Sequence, residues 1–209
     1  MKSDSQKTKY IKAKEIFKTA GGILKTTQAR RLGIHTRTLY AMRDAGIIEK
    51  VSRGVYRLAD LPPLSNPDLA TVAMRSPKGV ICLISALSFH EITTQIPHEV
   101  YLAIPRTKNN VSQAPRIDFP PVRTFHFMGK SFTEGIQEHM IDNVPVKIYN
   151  QEKTIADCFK YRNKIGLETT LEALKFYRRK REFNVNKIMY YAEICRVKRI
   201  MKPYLEALI

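Results

Sequence analysis

The sequence predicts an α+β protein: an N-terminal winged helix-turn-helix domain followed by a larger α+β domain that ends in a run of helices. Three observations carry this. Residues 26–50, TTQARRLGIHTRTLYAMRDAGIIEK, place Ala29, Gly33, Leu39 and Met42 at i, i+4, i+10 and i+13, the spacing of a helix-turn-helix. IIEKVSRGVYRL follows directly as two β-prone runs around Ser-Arg-Gly, which reads as a hairpin. From Glu152 onward the apolar residues recur at helical spacing to the end of the 209-residue chain.

Residues 1–9 are polar and patternless, and a mobile end is expected there. Ala13, Ile16, Phe17 and Ala20 then recur at i, i+3, i+4 and i+7, and Gly21-Gly22 stops the helix they define. A short helix is expected from about Thr26 to Leu32, and another from Thr36 to Ala45, with Gly33 in the turn between them and Gly46 closing the second. The small Ala29 lets the two helices approach, and Gly33 suits a left-handed turn. DLPPLSNP, residues 60–67, holds three prolines in eight residues and is the best linker. It divides the chain into a winged-helix domain at 1–62 and an α+β domain at 63–209.

Beyond the linker, Asn66 reads as an N-cap with Pro67 in the first helical position. A helix is expected near Ser85. EVYLAIP and VRTFHF read as strands separated by a basic, proline-bearing loop at 105–121. IQEHMI and VPVKIY flank Asp142-Asn143, a hairpin turn. Ile155, Phe159, Leu167, Leu171, Leu174, Ile188, Tyr191, Ile194, Met201, Tyr204, Leu205 and Leu208 supply the apolar stripes of the final helices.

Charge narrows the function. The net charge is +17 and the sequence pI about 9.9, a bias toward polyanionic partners. It is concentrated at the two ends. Residues 1–60 carry 14 basic against 5 acidic side chains, 61–150 carry 8 against 7, and 151–209 carry 14 against 7. The longest strongly apolar run, VICLI at 80–84, is far short of a membrane span. The N-terminus has no signal-peptide core. Cys82, Cys158 and Cys195 are 76 and 37 residues apart, the pattern of reduced, buried thiols in a cytoplasmic protein.

Within the helix-turn-helix, Leu39 and Met42 define the buried side of the second helix at 100° per residue. Arg37, Tyr40, Ala41 and Asp44 then face outward, flanked by Thr38 and Arg43. Such a mixture suits a major-groove helix, where arginine forks onto guanine and a small residue admits the backbone. Thr36 and Thr38 are placed to bond phosphates, and Arg30 and Arg31 of the preceding helix to grip the backbone. Arg53 at the hairpin tip and Arg57 beside it are expected to meet phosphate or minor groove as a wing does. Asp44 fits poorly, because phosphates repel a carboxylate; it belongs beyond the contact or orients a neighbour. Duplex DNA is the expected ligand of this surface.

Chemistry is poorly represented. There is no G-x-x-x-x-G-K, no G-x-S-x-G and no H-x-x-x-H, and no acidic residue is followed two positions later by lysine. The histidines at 35, 90, 98, 126 and 139 are scattered. No enzyme activity, metal or cofactor is expected. A second basic cluster, Arg178, Arg179, Lys180 and Arg181 with Lys198 and Arg199, is either a solvated helix face or a second polyanion surface for DNA, RNA or a protein partner.

Several segments together resemble one known family: GGILKTTQARRLGI, RGVYRLAD, NPDLATVAMRSPKGVICLISALSFHEITTQIP, VYLAIPR, VKIYNQEKTIADCFKYRNKIGLETTLEAL and PYLEALI. In this order and spacing, with EKTIADCFKYRNKIG the most telling, the chain resembles the AbiEi antitoxins of bacterial abortive-infection toxin–antitoxin pairs. The resemblance implies a winged helix that represses the operon promoter, with an inverted repeat in the promoter DNA as its site, and a C-terminal α+β domain responsible for antitoxicity. It also implies a functional partner, a nucleotidyltransferase-like toxin encoded alongside, with RNA a plausible substrate of that toxin. Such pairs are grouped as type IV, in which direct contact between toxin and antitoxin is not assumed. The chain has no Gly-Ser dipeptide and no D-x-D, which the toxin's catalytic core needs, so it resembles the antitoxin half. Two other readings stay open: a stand-alone transcription regulator with a ligand- or partner-binding C-terminal domain, and a nuclease or RNA-modifying enzyme that docks through the winged helix.

Overall fold

The computed structural model describes residues 2–106 and 117–207, with side chains from residue 7 onward. The chain forms two compact units, Met1–Met74 with Met140–Pro145, and Arg75–His139 with Val146–Ile209.

In the first unit the order is α1 (Lys2–Thr19), β1 (Ile23–Lys25), α2 (Thr26–Arg31), α3 (Thr36–Asp44), β2 (Ile48–Ser52) and β3 (Val55–Leu58), followed by α4 (Pro67–Arg75). The three strands form an antiparallel sheet in the order β1-β3-β2. Helix, strand, two helices and a two-stranded hairpin in that order make a winged helix. Its core is built from Ala13, Phe17, Leu24, Ala29, Ile34, Leu39, Met42, Ile48, Tyr56 and Leu58, all buried. Burying a side chain such as Leu39 or Met42 contributes roughly 1.5–3 kcal/mol.

Two expectations are corrected here. The polar stretch at 2–9, read as patternless, is helical and continues α1 from Lys2. The turn anchored by Ala13 and Phe17 supplies the costly helix nucleus, and the Lys and Gln residues before it extend it at little cost. β1 is also missing from the sequence reading. Three residues with burial on two of them leave no alternation to detect. The first unit takes in α4 as far as Met74 and the hairpin turn Met140–Pro145. The Asp142 carboxylate accepts from the Ser65 and Asn66 amides at 2.9 and 3.3 Å, which ties that turn to the proline-rich stretch. Asn66 caps α4 as expected, its Oδ1 accepting from the Leu69 amide at 3.3 Å.

The second unit is built around a five-stranded mixed sheet in the order β6-β5-β4-β8-β7. Its strands are β4 (Val80–Ile81), β5 (Val100–Pro105), β6 (Val122–Phe127), β7 (Ile136–Ile141) and β8 (Val144–Tyr149). β4 pairs antiparallel with β5 and parallel with β8, and β5 pairs parallel with β6. Asp142 and Asn143, at φ +50° and +63°, form the β7–β8 turn, in the left-handed region that Asp and Asn tolerate. The helices are α5 (Leu83–Phe89), α6 (Lys130–Thr133), α7 (Gln151–Lys160), α8 (Arg162–Ile165), α9 (Leu167–Arg178), α10 (Val185–Ile194) and α11 (Lys198–Glu206). The expected loop at 105–121 lies largely outside the described residues, as does Leu208.

α7 organises this unit. Every residue from Glu152 to Phe159 is buried, and the helix packs against α5, α9 and α10. Asn150 caps it, accepting from the Lys153 amide at 2.9 Å. Its polar residues are consumed inside: Lys153 Nζ donates to Asp157 Oδ2 at 2.5 Å with both side chains fully buried. The Lys153 ammonium also lies 4.3 Å from the Tyr149 ring centroid and 5.0 Å from that of Phe127, a geometry in which the ring faces attract the charge. Cys195 donates to Asp157 Oδ1 at 3.1 Å. The first eight residues of EKTIADCFKYRNKIG therefore lie in the interior of this unit, with polar groups that satisfy one another.

Candidate nucleic-acid interface

The helix-turn-helix is held by its backbone. Gly33 has φ +88°, and a Cβ there would meet nothing within 4 Å, so the left-handed conformation and not lack of room requires glycine. The Gly33 and Ile34 amides close the end of α2 on the Arg30 and Ala29 carbonyls at 3.1 and 2.8 Å. At the start of α2 the Gln28 side chain accepts from the Lys25 amide at 3.1 Å. Ala29, Leu39 and Met42 are completely buried, so the expected packing face is the observed one.

The opposite face of α3 is open. Arg37, Tyr40, Arg43 and Asp44 are exposed, and Thr36, Thr38 and Ala41 half-buried. Arg43 is not a bare cation: its Nε and Nη2 donate to Asp44 Oδ1 at 2.9 and 2.7 Å, and its guanidinium lies 5.3 Å from the Tyr40 ring centroid. Asp44 thus orients a neighbour on the helix surface. Arg30 and Arg31 are exposed on α2.

The β2–β3 hairpin is the wing. Gly54, at φ +75°, makes its turn, and the pairing register shifts between Lys50 and Ser52, a bulge that adds twist. The Gly54 carbonyl accepts from the Thr26 amide at 2.8 Å and from the Thr26 hydroxyl at 3.2 Å, which joins the wing tip to the first turn of α2. Arg53 is exposed at that tip.

Arg57 requires a correction. It is only 5% exposed, with Nη2 donating to the Leu61 and Pro62 carbonyls, each at 2.6 Å, and Nη1 3.2 Å from Glu49. It fastens the chain leaving the wing and does not face outward. β3 is the central strand, with β1 on one side and β2 on the other, and all four of its residues are buried. Without β1, sequence reasoning treats β3 as a hairpin arm with an open face. Lys50, exposed on β2, is a basic wing residue that the same reasoning missed.

The C-terminal cluster separates into parts. Arg178 ends α9 and is exposed, as are Arg179 and Arg181. Lys180 is committed: its Nζ donates to the His90 carbonyl at 2.6 Å. Lys198 lies 3.1 Å from Glu193. Lys198 and Arg199 line a shallow hollow with Glu193, Arg196 and Ile200, which includes none of residues 178–181. The cluster is not one continuous basic surface in this hollow.

His90 and His139 are packing residues. His90 Nε2 is 2.7 Å from the Tyr149 carbonyl, and both rings meet Phe89 edge-on. Burial, above all, holds the His90 pKa below its ordinary value, with His139 and Lys180 adding to the effect against the Tyr149 carbonyl and Glu152. The three cysteines are free and buried, and burial pushes each thiol up, away from thiolate chemistry. Among the described residues no group of three or more His, Cys, Asp or Glu side chains could hold a metal ion. No helix among them is long and apolar enough to cross a membrane.

A winged helix with an outward helix bearing Arg37 and Tyr40, and a wing bearing Arg53, has the architecture of a transcriptional regulator. Residues 12–59 match the family described as "Transcriptional regulator, AbiEi antitoxin", and the match over this winged-helix region supports an AbiEi-family antitoxin. No curated protein matches the chain.

Proposed function

We propose that this protein is the antitoxin of a type IV pair, counteracting a nucleotidyltransferase toxin encoded beside it and repressing their common promoter. The observation that carries the reading is the open face of α3 on a winged helix whose residues 12–59 match an antitoxin regulator family. Arg37 and Tyr40, with the half-buried Ala41, meet base edges in the major groove, and Thr38 bonds phosphate beside them. Arg30, Arg31 and Thr36 position the unit on the phosphates, and Arg53 with Lys50 adds the wing contact. Arg43 joins them once phosphate replaces Asp44, an exposed pair that costs little to open. Arg178, Arg179, Arg181 and Arg199 remain the candidates for antitoxicity on charge.

The test has two arms. Fluorescence anisotropy on the upstream DNA of its own gene and on a scrambled duplex, at two salt concentrations, is expected to show a preference that survives the higher salt. Equal, salt-labile binding to both would mean that the net charge merely attracts phosphate, and the repressor reading would fail. Co-expression with the neighbouring gene is expected to restore growth that the neighbour alone arrests; no rescue would remove the antitoxin reading.

A further inference from the structure

The second unit contains a hollow of roughly 880 Å³ that the reading above does not use. Arg106, His126, Lys130, Lys160 and Arg196 line it, together with Met128 and Ile194. No carboxylate lines it among the described residues, and none of Arg106, Lys130, Lys160 and Arg196 is in a salt bridge there. Two lysines and two arginines from separate parts of the chain, with His126 beside them, thus converge on one concavity.

Its walls are built. Lys160 is directed by two rings, its ammonium 5.6 Å from the Phe127 centroid and 5.8 Å from that of Tyr161. The Ser131 hydroxyl donates to the Ile194 carbonyl at 3.2 Å, joining α6 to the end of α10. Arg196 follows α10 at φ +60°, in the left-handed position where a helix end ordinarily takes glycine. An arginine kept in a conformation that L side chains rarely adopt is an outlier of the kind that gathers at functional sites. Met128 is 54% exposed, so an apolar surface stands beside the cations.

We propose that this hollow binds a nucleoside di- or triphosphate, the phosphates taken by Lys130, Lys160, Arg106 and Arg196 and the base laid against Met128 and Ile194. The volume falls within the range of small-ligand pockets. Arginine and lysine are the usual partners of phosphate. The apolar patch accounts for a base, which inorganic phosphate lacks. This site is independent of the winged helix and of the promoter reading.

Calorimetric titration of the full-length protein at about 150 mM salt tests it, with ATP, GTP, adenosine, inorganic triphosphate and a 5′-triphosphorylated RNA oligonucleotide as separate probes. Arg196→Gly is the decisive variant, since glycine suits the backbone there and the fold is expected to melt at the same or a higher temperature. Micromolar binding of a nucleoside triphosphate, weakened about tenfold or more in Arg196→Gly and in Lys160→Gln, is the expected result. Promoter affinity is expected to be unchanged in both variants. Binding of inorganic triphosphate as tight as that of the nucleotides would overturn the assignment of a base subsite. Binding of the RNA end far tighter than of any free nucleotide would replace the free ligand with a strand terminus. No binding below millimolar concentration, or full affinity retained in Arg196→Gly, would sink the site.

Discussion

On α3 the exposed Arg37 and the Asp44-clasped Arg43 present two different cations to the same surface. Arg37 is placed for a base edge, so Arg37→Ala is expected to lower affinity for the operator by about 1–3 kcal/mol and affinity for random duplex much less. Comparative anisotropy reads this, and equal losses on both duplexes would remove Arg37 from the reading surface. Arg53 at the wing tip belongs to the phosphate class. Arg53→Ala is expected to weaken both duplexes together and to flatten the salt dependence by about one unit. Arg57, four residues on, is expected to leave DNA selectivity alone and to show instead as a loss of stability, because its removal strands the Leu61 and Pro62 carbonyls. At this scale the sequence was legible where the side a residue faces follows from helical phase, as for the buried Leu39 and Met42 and the exposed Arg37. It was not legible where the role depends on a strand that leaves no pattern, as for Arg57, nor at the cationic hollow, whose residues come from scattered segments with no spacing to read.

At the scale of elements, α7 shows how a helix can be polar in sequence and interior in structure. Its Lys153–Asp157 pair is fully buried, so removing one partner leaves the other charge without compensation. Lys153→Met is expected to destabilise the fold by about 3–5 kcal/mol, and a second change, Asp157→Leu, to recover much of that loss. Chemical denaturation of the two variants checks it; equal stability of single and wild-type proteins would contradict the burial. A 3.6-residue pattern identified α7 as a helix, but not as a helix covered on every side, since charged residues at 152, 153 and 157 ordinarily mark a solvated face. β4 escaped for a similar reason. It is two residues long inside an apolar run that reads equally as strand or buried helix.

At the scale of the whole molecule, pH is expected to act on stability through His90. Its folded pKa lies below the ordinary value near 6.5, so the unfolded chain takes up the proton first as pH falls. The contribution of neutral His90 is present above that value and is lost as pH drops through it and below. Wild-type melting temperature is therefore expected to fall more steeply between about pH 7 and 5 than that of His90→Gln. Parallel slopes would show that other groups govern the acid limb. The α+β class, the winged helix and the helical C-terminus were all legible from periodicity, whereas the order of the five-stranded sheet was not, because pairing between β4, β5 and β8 joins segments far apart in sequence. Finally, the Gly54 carbonyl that receives both donors of Thr26 has a thermodynamic meaning for DNA binding. The wing tip and the first turn of α2 are already fastened in the free protein, so the entropy of ordering that turn is spent during folding and not at the encounter. Thr26→Val would keep the amide bond and remove the hydroxyl, loosening the tip. Its signature would be a larger unfavourable entropy of association at nearly unchanged enthalpy, a penalty invisible in any list of contacts with the duplex.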